Sequence, residues 1–271
     1  MKSRIITSLI AVLSGSMLVA CGGGGANDGA PAAALKQLDQ NASVALPDLS
    51  TSSSPGSNFN LSPFTLQLPT GSSGDIDTVS GSRLADGYTD KPYFYTDSSD
   101  GSMVMMDPTR GWTTSGSEHP RTELHENSNW STAGTNKLNA TVTVTQVPDH
   151  TTIGQIFQGT GPSKPLCELQ FTSGGVVQLL LESTNQGGKS NIYPITNVAV
   201  GKQFNYELSL TDKTVTVKVN STTKTFTMDS SFDGENFYFK AGDYDQSAVS
   251  GSPLTTPGTV VKFYALSLTH Q

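Results

Sequence analysis

The chain has only two cysteines, Cys21 and Cys167, so a framework of several disulfides is excluded as the source of its stability. Charged residues make up just 14% of it, and its 16 lysines and arginines nowhere form a basic run. With a sequence pI near 5.0, that argues against a nucleic-acid partner. Apolar residues rarely recur at helical spacing, which argues against a helix bundle. No uninterrupted apolar run approaches the roughly 20 residues of a membrane-spanning helix. No repeat at a period of roughly 20 to 50 residues points to a propeller or solenoid.

What the chain does hold is 271 residues rich in Gly, Ser, Thr and Asn, enough for a substantial core in one large all-β domain. Lys2 and Arg4 precede a short apolar run from Ile5 to Ala20, which reads as a targeting segment, residues 1–20. It ends in Leu18-Val19-Ala20-Cys21, which resembles a bacterial lipobox, with Cys21 as the lipidated first residue; an ordinary signal peptide is the alternative. Gly22 after the cysteine fits, by that resemblance, an outer-membrane lipoprotein, with a secreted or periplasmic protein as the other option. If Cys21 carries lipid, Cys167 has no partner, and its setting LCELQ makes it a small buried apolar residue in a strand. Residues 21–56, rich in Ala, Gly, Ser, Asp and Pro, form a flexible linker, and 57–271 form the domain.

Within the domain, short stretches alternate between apolar and polar residues, broken by Gly, Asp, Asn and Ser. Leu138, Ala140, Val142 and Val144 alternate with Asn139, Thr141, Thr143 and Thr145, the pattern of a half-buried strand. Phe204, Tyr206, Leu208 and Leu210, then the turn TDK, then Val215, Val217 and Val219 predict a hairpin. Many such strands without intervening helices predict an all-β sandwich of two antiparallel sheets.

Three segments break this plain pattern. In RTELHE, strand periodicity sets Arg121, Glu123 and His125 on one face. In IGQIFQ, Gln155 and Phe157 share a face opposite Ile156. In YFKAGDYDQ, Tyr238 and Lys240 stand together against Phe237, Phe239 and Ala241, and Gly242 permits a bend that brings round Tyr244 and Gln246. A bowed sheet collects these rows in a concave cleft, a cationic, hydrogen-bonding and aromatic surface suited to an anionic sugar chain. The plain reading makes Arg121 and Glu123 an ion pair on a solvated strand, worth little. His119 and His150 read as loop histidines, and His270, at the terminus, carries no functional inference. Asp243 and Asp245 raise the pKa of Tyr244 if they point into the cleft.

RTELHE, QIFQ and YFKAGDYDQ, in that order, resemble the signature segments of polysaccharide lyase family 7, the alginate lyases of β-jelly-roll fold. FTLQLPTG and the stretch from Tyr93 to Leu124 extend the resemblance over about Asn58 to the C-terminus. The resemblance implies β-elimination on a uronate polymer: a base takes the C5 proton, charge builds on the carboxylate, and O4 leaves with a proton. It implies Arg121 and Gln155 as the groups that neutralise the carboxylate, and Tyr244 as proton donor and, in syn elimination, also base, its pKa lowered by Arg121 and Lys240. Glu123, Phe157, Tyr238, Lys240 and Gln246 are expected to bind substrate, Glu123 by orienting Arg121.

Two positions depart from the usual RTELR and QIH: His125 replaces the second arginine and Phe157 replaces the histidine. A histidine has then moved to the neighbouring strand, leaving Phe157 as a sugar platform, and His125 joins the catalytic set. Asp245 stands where the family commonly has asparagine. The lost histidine is the one associated with guluronate, so a mannuronate-rich alginate or a related β-linked polyuronate is the expected substrate. The expected protein is a monomer that needs no metal or cofactor and meets the membrane through its lipid alone. The alternatives are a catalytically impaired polyuronate-binding module and a jelly-roll glycoside hydrolase, whose E-x-D-x-x-E pattern is missing. Removal of Lys2 and Arg4 takes the formal charge from −7 to −9, so local cations must hold the substrate, and binding should weaken with salt.

Overall fold

A computed structural model describes residues 48–271. The expected targeting segment, Cys21 and most of the expected linker lie outside the described residues. The chain joins the domain before residue 57: Asn58 donates to the carbonyls of Ser50 and Gly101, and Leu49 packs against the core.

In chain order the strands begin with β1 (Phe64–Ser72), β2 (Asp75–Val79), β3 (Phe94–Thr96), β4 (Met103–Pro108), β5 (Arg110–Gly111) and β6 (Thr122–Glu126). Next come β7 (Thr135–Gln146), β8 (His150–Gln158), β9 (Pro165–Thr172), β10 (Val176–Glu182), β11 (Ser190–Asn197) and β12 (Phe204–Thr211). The last are β13 (Thr214–Val219), β14 (Thr222–Thr227), β15 (Phe237–Asp245), β16 (Val249–Ser250) and β17 (Pro257–His270). They build the expected jelly-roll sandwich. One sheet has eight strands in the order β11-β10-β9-β8-β15-β6-β1-β2, the other seven in the order β14-β13-β12-β7-β17-β4-β3. All pairings within the two sheets are antiparallel, and a short parallel pair, β5 with β16, sits apart from them.

Alternation drives the assembly. Phe64, Leu66, Leu124, Ile156, Phe237 and Phe239 of the larger sheet and Leu138, Val142, Leu208, Val261 and Phe263 of the smaller are all buried in one core. Each such side chain contributes about 1.5–3 kcal/mol when fully buried. The predicted hairpin is β12 and β13, with Asp212 taking a left-handed φ of 50° in the turn. On β7 the polar residues Thr141 and Thr143 are also buried, because the strand lies between β12 and β17 and Asn205 covers Thr141. Cys167 is buried, and burial pushes its thiol pKa up, which keeps it inert.

The interior holds one polar cluster that the sequence pattern does not announce. Asp243 and Asp245 lie on the inward face of β15 and meet Asp107 of β4, all essentially without solvent exposure. Asp243 accepts from the Thr151 and Thr259 hydroxyls at 2.7 and 2.5 Å and from the Asp107 amide at 3.1 Å. Asp107 accepts from the Asp245 amide at 2.9 Å, while one oxygen each of Asp107 and Asp245 has no partner. Burial, reinforced by the neighbouring carboxylates, pushes Asp107 well up and Asp243 to about 7.

Native Asp243 therefore keeps its proton where the unfolded chain has lost it. Its contribution to stability is present at mildly acidic pH and is lost as pH rises through about 7. Thermal melts from pH 5 to 8 should show the midpoint falling, and Asp245→Asn, which removes the carboxylate that repels the Asp243 anion, should flatten that fall by a few degrees. A fall of equal size in D245N would contradict the assignment.

Candidate active site

The three polar segments become β6, β15 and β8, adjacent strands in the middle of the eight-stranded sheet. Register sets the groups side by side: Lys240 faces His125 on one neighbour and Gln155 on the other, Tyr238 faces Phe157, and Gly242 faces Glu123. Gly242 serves close approach, since a Cβ there would sit 2.6 Å from Glu123 Cα. A bulge between Ala241 and Tyr244 shifts the register against β8. The outward face forms a cleft lined by Arg121, His125, Gln155, Phe157, Tyr238, Lys240, Tyr244 and Gln246.

Glu123 is absent from the cleft wall: it lies fully buried beneath it. Its place is beneath Arg121, the group it is expected to orient, and not against substrate. Its Oε2 accepts from Arg121 at 2.9 Å and from Lys240 at 3.2 Å, and its Oε1 accepts from Gln155 Nε2 at 2.5 Å. Burial alone would raise its pKa, but Lys240 and Arg121 outweigh burial and the net shift is down, so Glu123 is a fixed anion. The ion pair with Arg121 is thus buried, not the solvated one of the plain reading. Two cations around one anion leave one positive charge for a ligand. The Lys240 ammonium also donates to Gln67 on β1, and burial lowers its pKa to about 8 against the pull of Glu123.

Tyr244 is packed face-on against Arg121, whose guanidinium carbon lies 3.8 Å from the ring centroid. Ser117 links the two, accepting from Arg121 at 2.7 Å and lying 3.0 Å from the phenol oxygen. Burial raises the Tyr244 pKa more than Arg121 lowers it, so the phenol is protonated in the resting site. Arg121 thus acts in the expected direction, but burial outweighs it and the net shift is up. Strand alternation points Asp243 and Asp245 into the core, away from the cleft.

His125, Tyr238 and Phe157 form an aromatic row across the three strands, with ring centroids 4.1 Å apart for the first pair and 5.4 Å for the second. Lys240 lies 5.1 Å from the Phe157 ring. Burial, and then Lys240, lower the His125 pKa to about 4, which leaves a neutral and weakly basic imidazole.

Sequence reasoning missed Gln67, Ser117, His119, Lys164, Glu168 and Glu182, which also line the cleft. Glu168 pairs across the sheet with Gln155, and Glu182 follows on β10, so the cleft is less uniformly cationic than expected. The alternation of Glu168 with the core residues Cys167 and Leu169 was the available signal. His119 and Ser117 sit on a loop whose path no periodicity reveals. Of the other histidines, His270 bonds Glu126 at 2.8 Å and packs on Trp130, a structural role.

The sequence profile of the alginate lyase family matches residues 59–270. The chain belongs to this family of polysaccharide lyases. Its fold is similar to that of the family 7 alginate lyase A1-II′, with a TM-score of 0.71 and 30% identity over 81% of this chain and 100% of that one. Structures of A1-II′ include complexes with a product written GGG and a substrate written GGMG. The alginate lyase of Pseudomonas aeruginosa is similar at 28% identity and a TM-score of 0.69, over 78% of this chain and 99% of that one. The alginate lyase of Klebsiella pneumoniae, at 24% identity and a TM-score of 0.69 over 80% and 99%, shares the fold. No curated protein sequence matches the chain.

For an alginate lyase family member with an anionic polymer as substrate, the spare charge of Lys240 has a measurable consequence. As pH rises through about 8 the ammonium is lost, and KM should climb by about tenfold, the equivalent of roughly 1.4 kcal/mol. Lys240→Met should show a high KM that no longer responds to pH in that range. A wild-type KM that stays flat from pH 7 to 9 would remove Lys240 from substrate binding.

Proposed function

We propose that the domain cleaves a β-linked polyuronate by syn β-elimination, with mannuronate-rich alginate preferred over polyguluronate. The observation that carries this reading is the placement of Arg121, Gln155 and Tyr244 on one cleft wall, with Phe157 where the family pattern has histidine. A uronate carboxylate must be neutralised before its C5 proton becomes acidic enough to remove. Arg121 donates to it through guanidinium hydrogens not used by Glu123 and Ser117, and Gln155 through its second amide hydrogen. Preorganised donors aimed at developing charge are the largest single catalytic contribution in most such sites.

Tyr244, held as a phenol, gives its proton to O4 as the C4–O4 bond breaks and the C4–C5 double bond forms. Phe157 neither takes a proton nor donates a hydrogen bond, which disfavours a sugar whose H5 lies opposite O4. Its ring and that of Tyr238 offer sugar a flat apolar surface instead. The complexes of A1-II′ with a substrate written GGMG and a product written GGG support an oligosaccharide ligand for this chain too.

Purified domain supplied with polymannuronate, polyguluronate and glucuronan should release unsaturated oligosaccharide fastest from a polymannuronate-rich polymer, read by absorbance and mass spectrometry. Tyr244→Phe should lose about 10³-fold in kcat while still binding polymer. Faster release from polyguluronate overturns the preference, and a wild type that binds but never cleaves marks a binding module.

We also propose that Cys21 carries lipid and tethers the lyase to the bacterial outer membrane. The support is the Leu18-Val19-Ala20-Cys21 sequence followed by glycines. Cys21→Ser should move the protein from the membrane fraction to the soluble one, and an unchanged distribution would refute the tether.

A further inference from the structure

The proposed reaction needs a base as well as an acid, and the resting site supplies Tyr244 only as an acid. Burial keeps its phenol protonated, so a second group must accept the C5 proton. Phe157 has no such atom. His125 is stacked on Tyr238, four residues along β15 from the level of Tyr244, and its environment leaves it weakly basic.

The histidine beside Tyr244 is His119. It lines the cleft on the loop before β6, and its ring centroid lies 6.2 Å from that of Tyr244. Its Nδ1 is 2.7 Å from the carbonyl oxygen of Ala248. A carbonyl only accepts, so Nδ1 carries the hydrogen, and in the neutral ring Nε2 presents a lone pair. Among the described residues, Nε2 has no hydrogen-bond partner. The same loop supplies Ser117, whose hydroxyl donates to the His119 carbonyl at 2.8 Å and contacts Tyr244 and Arg121. One short segment thus holds an oriented imidazole beside the phenol.

We propose that His119 is the general base of the elimination. This rests on the polyuronate lyase reading above and deepens it. The C5–H bond breaks and its proton passes to His119 Nε2. The electron pair forms the C4–C5 double bond, C4–O4 breaks, and O4 takes the Tyr244 proton. The imidazolium then returns a proton to the phenolate, directly or through water, and both groups regain their starting state. Base and acid on the same side of one sugar suit syn elimination, the stereochemistry of mannuronate. The imidazole has then moved, not to the neighbouring strand as His125 suggested, but to the loop that leads into it.

The test is the pH dependence of kcat on the best polyuronate for wild type, His119→Gln and His119→Ala. Glutamine can keep a donor toward Ala248 but offers no base. Both variants should lose about 10²-fold or more in kcat, with KM within a few-fold. The acid limb of the wild-type profile should vanish, and added imidazole should restore part of the rate of H119A. The cleft also holds the ionisable groups Glu118, His125, Lys164, Glu168, Glu182, Lys240 and Tyr244, and none of them is altered in these variants. A kcat within threefold of wild type, or a reduced kcat with the acid limb intact, overturns the role of His119. A wild type inactive on every uronate polymer instead overturns the lyase reading itself.

Discussion

Glu123 has no exposed surface, and its two oxygens accept from Arg121, just before β6, from Lys240 on β15 and from Gln155 on β8. Each of those groups faces the cleft but is aimed from below by this one carboxylate. Burying a charge costs several kcal/mol unless partners replace its water, and breaking a buried pair typically costs about 3–5 kcal/mol. The anion therefore fixes the positions of its donors more firmly than solvated contacts would. It also sets the charge of the site. Within this triad, one anion under two cations leaves a single positive charge beside the acidic Glu168 and Glu182 of the cleft.

β15 carries opposite chemistries on its two faces. Outward stand Tyr238, Lys240 and Tyr244; inward stand Phe239, Ala241, Asp243 and Asp245. The two faces meet through Thr151, which accepts from the Tyr244 amide at 3.1 Å and donates to Asp243 at 2.7 Å. The buried aspartates thus help fix the backbone that carries Tyr244. Their mutual repulsion in a dry interior makes this arrangement sensitive to pH, a cost accepted where the chain must hold one residue in place.

Much of this was legible in the chain. Period-two alternation fixed the strands, and it placed Ile156, Phe239 and Ala241 in the core and Gln155, Phe157 and Tyr238 outside. The same rule gave the shared face of Arg121, Glu123 and His125. It did not show that Glu123 sits under the cleft and not in its wall, because depth depends on how closely β15 approaches at Gly242. Nor did it show the Asp107–Asp243–Asp245 cluster, whose members belong to opposite sheets. His119 read as an ordinary loop residue because loops have no period to betray which way a side chain points.

The residue order settled the sandwich, the three polar strands and the family. These follow from local alternation and from motifs, which need no knowledge of distant partners. Protonation states and the neighbours of Tyr244 emerged only on folding. Burial and charge are sums over groups far apart in the chain, so Tyr244 stays a phenol, the Lys240 pKa falls to about 8, and His119 meets the acid it is proposed to serve.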